Sequence, residues 1–184
     1  METKWYTGVG DDGYTGVLGR ERVPKYADRP DAYGTADEAS AILGMARVHA
    51  RDKQVRQLVV AIQRDLYKLM ADLATLPEAA TRPPWLGDER LVWVEQKTDA
   101  LGKRVEMPPA FIISGDSAGG AWLDIARTVV RRAERIVAKL THDGEVRSDT
   151  PLRYLNRLSS LLFVMARVED KAEGVERFTL AAEE

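Results

Sequence analysis

The chain has 184 residues, of which 45% are hydrophobic and 30% are charged, and its formal net charge is −2. This composition is ordinary for a globular protein with a real core, and the length predicts a single domain over residues 1–184. The small net charge argues against nucleic acid as a partner, and the absence of cysteine excludes disulfides and thiolate metal sites.

The number of histidines and the length of the apolar runs bear on zinc binding and on membrane insertion. The two histidines, His49 and His142, are too few for a conventional zinc site. The N-terminus has no signal-like apolar stretch, and no apolar run reaches 18 residues. We therefore expect a cytoplasmic protein that does not enter a membrane.

The first 33 residues are rich in Gly, Asp, Tyr and Pro, without a sustained period, which predicts an ordered loop or a flexible arm. The glycines of Thr7-Gly-Val-Gly-Asp-Asp-Gly-Tyr-Thr15 would let backbone amides approach an anion closely, and Lys25 adds a cation. No Gly-Lys-Ser/Thr follows, so this is not a P-loop. Asp11 and Asp12 either cap turns or lie near a magnesium ion. A disordered tail is the alternative interpretation of the whole segment.

The rest of the chain predicts an all-α protein, a five-helix bundle over residues 34–175 with no convincing strand pairing. Thr35 and Glu38 have capping-box spacing before the first helix. Apolar residues at three- and four-residue steps support the longer helices. A short extended stretch precedes the fourth helix at Pro108–Ser114, because residues before proline avoid the helical region. The helices are predicted at residues 39–49, 52–76, 88–101, 117–140 and about 150–172.

The predicted fourth helix carries a charged stripe. On a 3.6-residue wheel, Asp124, Arg127, Arg131 and Glu134 lie within about 80° of one another, opposite a wider apolar arc. Such a stripe is commonly a solvated face with i,i+4 pairs. Guanidinium groups one turn apart also suit a triphosphate. The fifth helix adds a second polar stripe through Asn156, Ser160 and Arg167.

Three segments together resemble one family. The glycine-rich segment from Thr7 to Lys25, the arginine-rich Ala126-Arg-Thr-Val-Val-Arg-Arg-Ala-Glu-Arg135 and Tyr154-Leu-Asn-Arg-Leu-Ser159 are similar, in order and spacing, to PduO-type ATP:cob(I)alamin adenosyltransferases. The resemblance extends over nearly the whole chain. It implies a homotrimer of five-helix bundles with active sites at subunit interfaces. It also implies transfer of the 5′-deoxyadenosyl group from ATP to the cobalt of cob(I)alamin, with Mg²⁺ present and triphosphate released.

The resemblance also implies roles for individual residues. Arg127 would pair with Asp37 across the interface, Arg131 would act on the nucleotide, and Phe111 would lie against the corrinoid and keep its lower axial position empty. ATP phosphates would be wrapped by Thr7, Gly8, Val9, Gly10, Thr15, Gly16 and Lys25. The nucleotide site would be completed from a neighbouring subunit by Arg131, Arg132, Glu134, Arg135 and Asn156. The protein ligands of the metal are not defined by the resemblance.

Some positions depart from the family pattern. Ser160 stands where an aspartate is common, Asp124 where a histidine is common, and Ser114-Gly-Asp116 where Pro-Gly-Gly is usual. Gly8 replaces a commonly basic residue. These departures lie mainly toward the corrinoid side and indicate an altered corrinoid preference. The alternative function is a non-catalytic ATP- or corrinoid-binding bundle that delivers or senses cofactor.

The nucleophile in such a reaction is the cobalt(I) of the substrate, so the protein needs no nucleophilic side chain of its own. A reductase would supply the reduced corrinoid, and an adenosylcobalamin-dependent mutase would use the product.

One string favours a different function. Gly115-Asp-Ser-Ala-Gly-Gly120 matches the G-x-S-x-G nucleophile elbow of α/β-hydrolases, with Ser117 as nucleophile and His142 as base. An elbow requires a parallel sheet, and the flanks here are predicted to be helical. Ser117 is instead predicted to be a helix N-cap or a ligand-facing loop residue.

Overall fold

The computed structural model describes residues 4–80 and 86–182. Within them a two-stranded hairpin, β1 (Tyr14–Val17) and β2 (Arg20–Pro24), precedes the helices. The five helices are α1 (Asp28–His49), α2 (Lys53–Leu73), α3 (Glu89–Gly102), α4 (Ala118–His142) and α5 (Thr150–Ala172). The predicted all-α five-helix bundle is confirmed. None of these helices is both long enough and apolar enough to cross a membrane.

The core lies between α1, α2, α4 and α5, with α3 packed on α5. The core forms there because the apolar residues of α2 and α4 recur with the helical period, so each helix buries one continuous face. A fully buried Leu or Ile contributes about 1.5–3 kcal/mol, so the two faces account for much of the stability. The face of α4 consists of Leu123, Ala126, Val130, Ala133, Val137 and Leu140.

The first helix begins earlier than predicted. It starts at Asp28, so Thr35 lies inside the helix with 6% of its surface exposed, and the capping box with Glu38 is wrong. Asp28 and Asp31 place negative charge in the first turn, where the helix dipole favours it, and Pro30 is tolerated there. The early turns bury alanines, whose stripe is too weakly hydrophobic to be recognised by periodicity alone.

The expectation of no strand pairing is wrong for the N-terminal segment. Thr15 pairs with Val23 and Val17 with Arg20 in an antiparallel register. Leu18 then ties the hairpin to the end of α2, since its N–H donates to the Ala74 carbonyl at 2.8 Å and its carbonyl accepts from the Leu76 N–H at 2.8 Å. This contact also explains why α2 ends at Leu73 and not at Leu76.

The N-termini of α2 and α4 meet a pair of adjacent acids on α5. Glu169 accepts from the backbone N–H groups of Arg51 (2.8 Å) and Asp52 (3.0 Å) at the start of α2. Asp170 accepts from the Ser117 hydroxyl at 2.6 Å, and Ser117 Oγ in turn accepts from the Gly120 N–H at 3.0 Å. A Cβ on Gly120 would collide with Asp170 Oδ1. Ser117 is therefore the N-cap of α4, as predicted.

The hydrolase interpretation of the same string is wrong. Among the described residues the only sheet is the two-stranded antiparallel hairpin, so the parallel sheet that an elbow requires is missing there. The Ser117 hydroxyl is engaged by Asp170 and Gly120, and His142 is exposed at the far end of α4.

Candidate functional site

The N-terminal loop is shaped by its own hydrogen bonds. The N–H of Asp11 donates to the Gly8 carbonyl and that of Gly13 to the Gly10 carbonyl, both at 3.1 Å. Gly8 and Gly13 have φ values of 72° and 84°, in the left-handed region that favours glycine. The exposed Lys25 returns to this turn, with its Nζ 2.7 Å from the Gly10 carbonyl oxygen. The segment predicted as an ordered loop or a flexible arm is thus a hydrogen-bonded loop followed by the hairpin.

Arg22 on β2 fastens the loop and was missed by the sequence reasoning. Its guanidinium donates to both carboxylate oxygens of Asp12 at 2.6 Å, to the Val9 carbonyl at 2.7 Å and to the Tyr14 carbonyl at 2.9 Å. The Arg22 hydrogen bond lowers the pKa of Asp12, helped by the Tyr14 N–H. Because Arg22 holds Asp12, Asp11 is the loop carboxylate that has no ion pair in the described chain. No group of three or more potential metal ligands occurs among the described residues.

The arginine face of α4 is exposed and joined to α5. Glu134 Oε1 accepts from Asn156 Nδ2 at 2.8 Å, so two predicted nucleotide-site residues from different helices are in contact. Arg132 forms an ion pair with Glu38 on α1, and Arg135 Nη1 donates to the Arg131 carbonyl at 2.9 Å. A cavity of about 280 Å³ opens beside Arg131, lined also by Arg127, Ser159, Ser160, Phe163 and Val164.

Phe111 and Arg127 line a second cavity. The Phe111 side chain is 79% exposed. It borders this apolar cavity of about 320 Å³, which is also lined by Ala110, Ile112, Ile113, Ser114 and Phe163. Arg127 and Phe163 therefore line both cavities, the cationic one beside Arg131 and the apolar one beside Phe111.

The C-terminal segment supports the Phe111 stretch, which the sequence reasoning did not foresee. Ile112 forms an antiparallel bridge with Leu180, and the Ala181 N–H donates to the Phe111 carbonyl at 2.9 Å. Asp116 accepts from both the N–H and the hydroxyl of Thr179, at 3.0 and 2.5 Å. The predicted extended conformation is confirmed around Ile112, where the bridge to Leu180 fixes the register, whereas Pro109, Ala110 and Ser114 lie in bends.

Two residues of the polar stripes predicted on α4 and α5, Asp124 and Arg167, are buried and do not lie on an exposed face. Asp124 is 3% exposed and Arg167 is 1% exposed, because Arg167 Nη2 donates to Asp124 Oδ2 at 2.7 Å between the two helices. Arg127 Nε donates to the other oxygen, Asp124 Oδ1, at 2.9 Å. A helical-wheel projection of one helix cannot show the Asp124–Arg167 pairing, since this pairing depends on how α4 packs against α5.

The predicted site residues thus fall into two groups in one chain. The loop from Thr7 to Lys25 lies with the end of α2, and no hydrogen bond or ion pair in the described chain joins it to the α4 arginines. Asp37 is exposed on α1 and makes no ion pair with Arg127 within these residues.

Comparisons with known proteins agree on one family. The sequence model described as cobalamin adenosyltransferase matches residues 5–169. A corrinoid adenosyltransferase of Citrobacter freundii is 37% identical over 171 residues, which cover 92% of this chain and 97% of that protein. One of Mycobacterium tuberculosis is 39% identical over 170 residues, covering 90% and 88%. The corrinoid adenosyltransferase PduO of Salmonella typhimurium is 37% identical over 166 residues, 90% of this chain, and the match spans about half (49%) of that longer relative.

Solved structures give the same result. A variant PduO-type ATP:corrinoid adenosyltransferase from Lactobacillus reuteri, complexed with cobalamin and ATP, superposes with a TM-score of 0.90 at 29% identity, over 98% of this chain and 97% of that one. A second variant, complexed with ATP, gives a TM-score of 0.88 at 29% identity, over 97% and 100%.

Proposed function

Because this chain belongs to the cobalamin adenosyltransferase family, we propose that it transfers the 5′-deoxyadenosyl group of ATP to the cobalt of cob(I)alamin and releases triphosphate. The solved neighbours that hold ATP and cobalamin support both substrates. The observation in this chain that carries the proposal is the position of Arg127. It lines the cavity beside Arg131 and the apolar cavity beside Phe111, so a nucleotide and a planar apolar ligand would meet there.

The nucleotide would be held by charge and by backbone amides. Arg131, Arg132 and Arg135 lie within little more than one turn of α4 and can match successive phosphate oxygens. Lys25 has one of its three donors on the Gly10 carbonyl, which leaves two for phosphate. The Glu134–Asn156 pair would present polar groups to the rest of the nucleotide. Thr7, Gly8, Val9, Gly10, Thr15 and Gly16 supply the remaining loop contacts.

Two subunits would share this site. Among the described residues no hydrogen bond or ion pair joins the loop to the α4 arginines, so the loop of one subunit would face α4 of the next, in a homotrimer. Asp37, exposed on α1, would reach Arg127 of the neighbour in the same way.

Mg²⁺ would bind mainly through the phosphates of ATP. This ion keeps several waters and needs only one or two carboxylates, so the absence of a three-acid cluster among the described residues is compatible with it. Asp11 is the loop carboxylate that Arg22 leaves available for that role.

The corrinoid would lie against Phe111, and the protein's part in the reaction would be positioning and electrostatics. Phe111 and Ile113 present an exposed apolar surface that would exclude water and any other axial ligand from the lower face of the corrinoid. The arginines would hold the 5′-carbon in line and stabilise the charge that develops on the departing triphosphate. Cytoplasmic location, a reductase that supplies cob(I)alamin and a mutase that uses the product belong to the same proposal.

The test is anaerobic turnover of ATP, magnesium and chemically reduced cob(I)alamin, followed by the corrinoid absorbance change. We expect adenosylcobalamin and triphosphate from the wild-type protein and a fall of about 100-fold or more in kcat/KM for Arg131→Ala. Arg64→Ala, which removes an exposed arginine from α2, is the matched control and should keep wild-type turnover. ATP binding without any wild-type turnover would contradict the proposal and support a delivery or sensor role.

A further inference from the structure

Asp124 lies between two guanidinium groups and uses one oxygen for each. Its Oδ1 accepts from Arg127 Nε at 2.9 Å, and its Oδ2 accepts from Arg167 Nη2 at 2.7 Å. The Asp124 side chain is 4% exposed and that of Arg127 is 25% exposed. A buried carboxylate thus connects the bundle interior to an arginine at the cavity wall.

Arg167 gives this carboxylate a fixed support. It is buried, and its Nε donates to Asp170 Oδ2 at 2.8 Å, while Asp170 Oδ1 accepts from the Ser117 hydroxyl. The chain of contacts therefore runs from Ser117, the N-cap of α4, through α5 and back to α4 at Asp124, about two turns later. Phe163 packs near both guanidinium groups, with its ring centre 5.3 Å from Arg167 Cζ and 6.0 Å from Arg127 Cζ.

The hydrogen bond that holds Arg127 leaves its two terminal nitrogens available for a ligand. Only its Nε is bonded to Asp124, and its two terminal nitrogens have no hydrogen-bond partner among the described residues. Arginine loses much rotamer freedom when it binds a ligand, and a bond at Nε fixes the plane of the guanidinium in advance. Because Arg127 lines both cavities, its terminal nitrogens remain for a ligand or for Asp37 of a neighbouring subunit.

We infer that Asp124 is a positioning residue, which, with Arg167 behind it, fixes the guanidinium of Arg127 at the junction of the nucleotide and corrinoid cavities. This inference rests on the proposed function. It assigns a role in the reaction to the buried Asp124–Arg167 ion pair, which no hydrogen bond or ion pair among the described residues joins to Arg131. Without Asp124, Arg127 would sample several rotamers, and the site would be assembled only part of the time.

The decisive experiment compares Asp124→Asn, Arg127→Met and the double variant in the turnover assay. Asp124→Asn should lower kcat about tenfold and leave the KM for ATP within about twofold, because Arg131 and the loop would still hold the phosphates. The double variant should be no slower than Arg127→Met alone, since Asp124 would act only through Arg127. Multiplied defects, or wild-type kcat for Asp124→Asn, would overturn the inference.

Asp65→Asn is the control for a purely structural effect. Asp65 is also a buried aspartate that accepts from an arginine, Arg90, at 2.6 and 3.0 Å, but it lies on α2. It should lose stability as Asp124→Asn does and keep the wild-type kcat. An equal fall in kcat for Asp65→Asn would assign both effects to folding and overturn the inference.

Binding of cob(II)alamin by the same variants, followed by absorbance in the presence of ATP, separates the inference from the proposed function. If the wild-type protein binds but does not turn over, the proposed function fails. Asp124 would then be tested by affinity alone: non-additive losses in Asp124→Asn and Arg127→Met support the inference, and additive losses overturn it.

Discussion

Buried arginines hold this molecule together at the residue scale. Arg29, at the start of α1, is 3% exposed and donates to the carbonyls of Leu73 (2.6 Å) and Thr75 (3.2 Å) at the end of α2. It also donates to the Glu145 carbonyl in the turn between α4 and α5. Burial lowers the pKa of Arg29, and the charge of Glu145 opposes this shift. One side chain therefore joins three parts of the fold next to the anchored hairpin.

Replacing Arg29 with methionine should lower the free energy of unfolding by about 2–4 kcal/mol, because buried carbonyls lose their donors. Urea denaturation measures the change. Arg51→Ala removes an arginine that is 69% exposed and paired with Glu173, so it should cost less than about 1 kcal/mol. Equal losses for the two variants would show that Arg29 is not the link between these elements.

At the scale of the element, strongly periodic helices could be predicted and elements that depend on packing could not. The boundaries of α4 and α5 follow from their apolar spacing and from Ser117 and Pro151 near their starts. The hairpin was missed because Leu18, in the turn between its strands, is held by Ala74 and Leu76 just after α2, which are distant in sequence. The support of the Phe111 stretch was missed for the same reason, since the Ala181 N–H that donates to the Phe111 carbonyl is distant in sequence.

The residues of the candidate site likewise fall into those that could be predicted from the sequence and those that depend on packing. Arg127, Arg131 and Phe111 were identified from motifs, because the order of such residues along the chain resembles a family. The supports behind them, Arg22 in the loop and Arg167 beneath Asp124, depend on contacts between elements and could not be derived from spacing. The roles assigned to the site residues stay predictions until the variants are measured.

The start of α2 should respond to pH through Glu169. Burial raises the pKa of this carboxyl, although the N–H groups of Arg51 and Asp52 oppose the shift. As the pH falls from 7 through that raised pKa, the folded state takes up a proton before the unfolded state does. The contribution of Glu169 to stability is therefore larger in acid and is lost as the pH rises through the folded pKa.

Glu169→Gln removes this titration. We expect the free energy of unfolding of the wild-type protein, minus that of the variant, to increase between pH 7 and pH 4.5 in urea titrations. Asp170, whose pKa burial also raises, titrates in both proteins and cancels from the difference. A difference that stays constant with pH, or decreases in acid, would contradict the assignment.

At the scale of the whole molecule, the separation of the loop from the α4 arginines makes a shared site testable. Lys25→Ala damages the loop and Arg131→Ala damages the helix face, and each variant alone should be nearly inactive. If one subunit supplies the loop and another supplies α4, mixed trimers formed by refolding the two variants together contain intact sites. Random assortment predicts about a quarter of the wild-type activity. No recovery on mixing would place both groups in the same subunit's site.

The contact between Gly120 and Asp170 has a consequence for how this sequence can change over evolutionary time. A side chain at position 120 would collide with Asp170 Oδ1 unless that carboxylate moved away from Ser117 and Arg167, and a Cβ at position 119 would lie 3.1 Å from Glu169 Oε2. Positions 119, 120, 169 and 170 are therefore coupled, and a larger residue at either glycine is accepted more readily after the acid that faces it has been replaced by a smaller residue. A directed-evolution library should vary these four positions as one block.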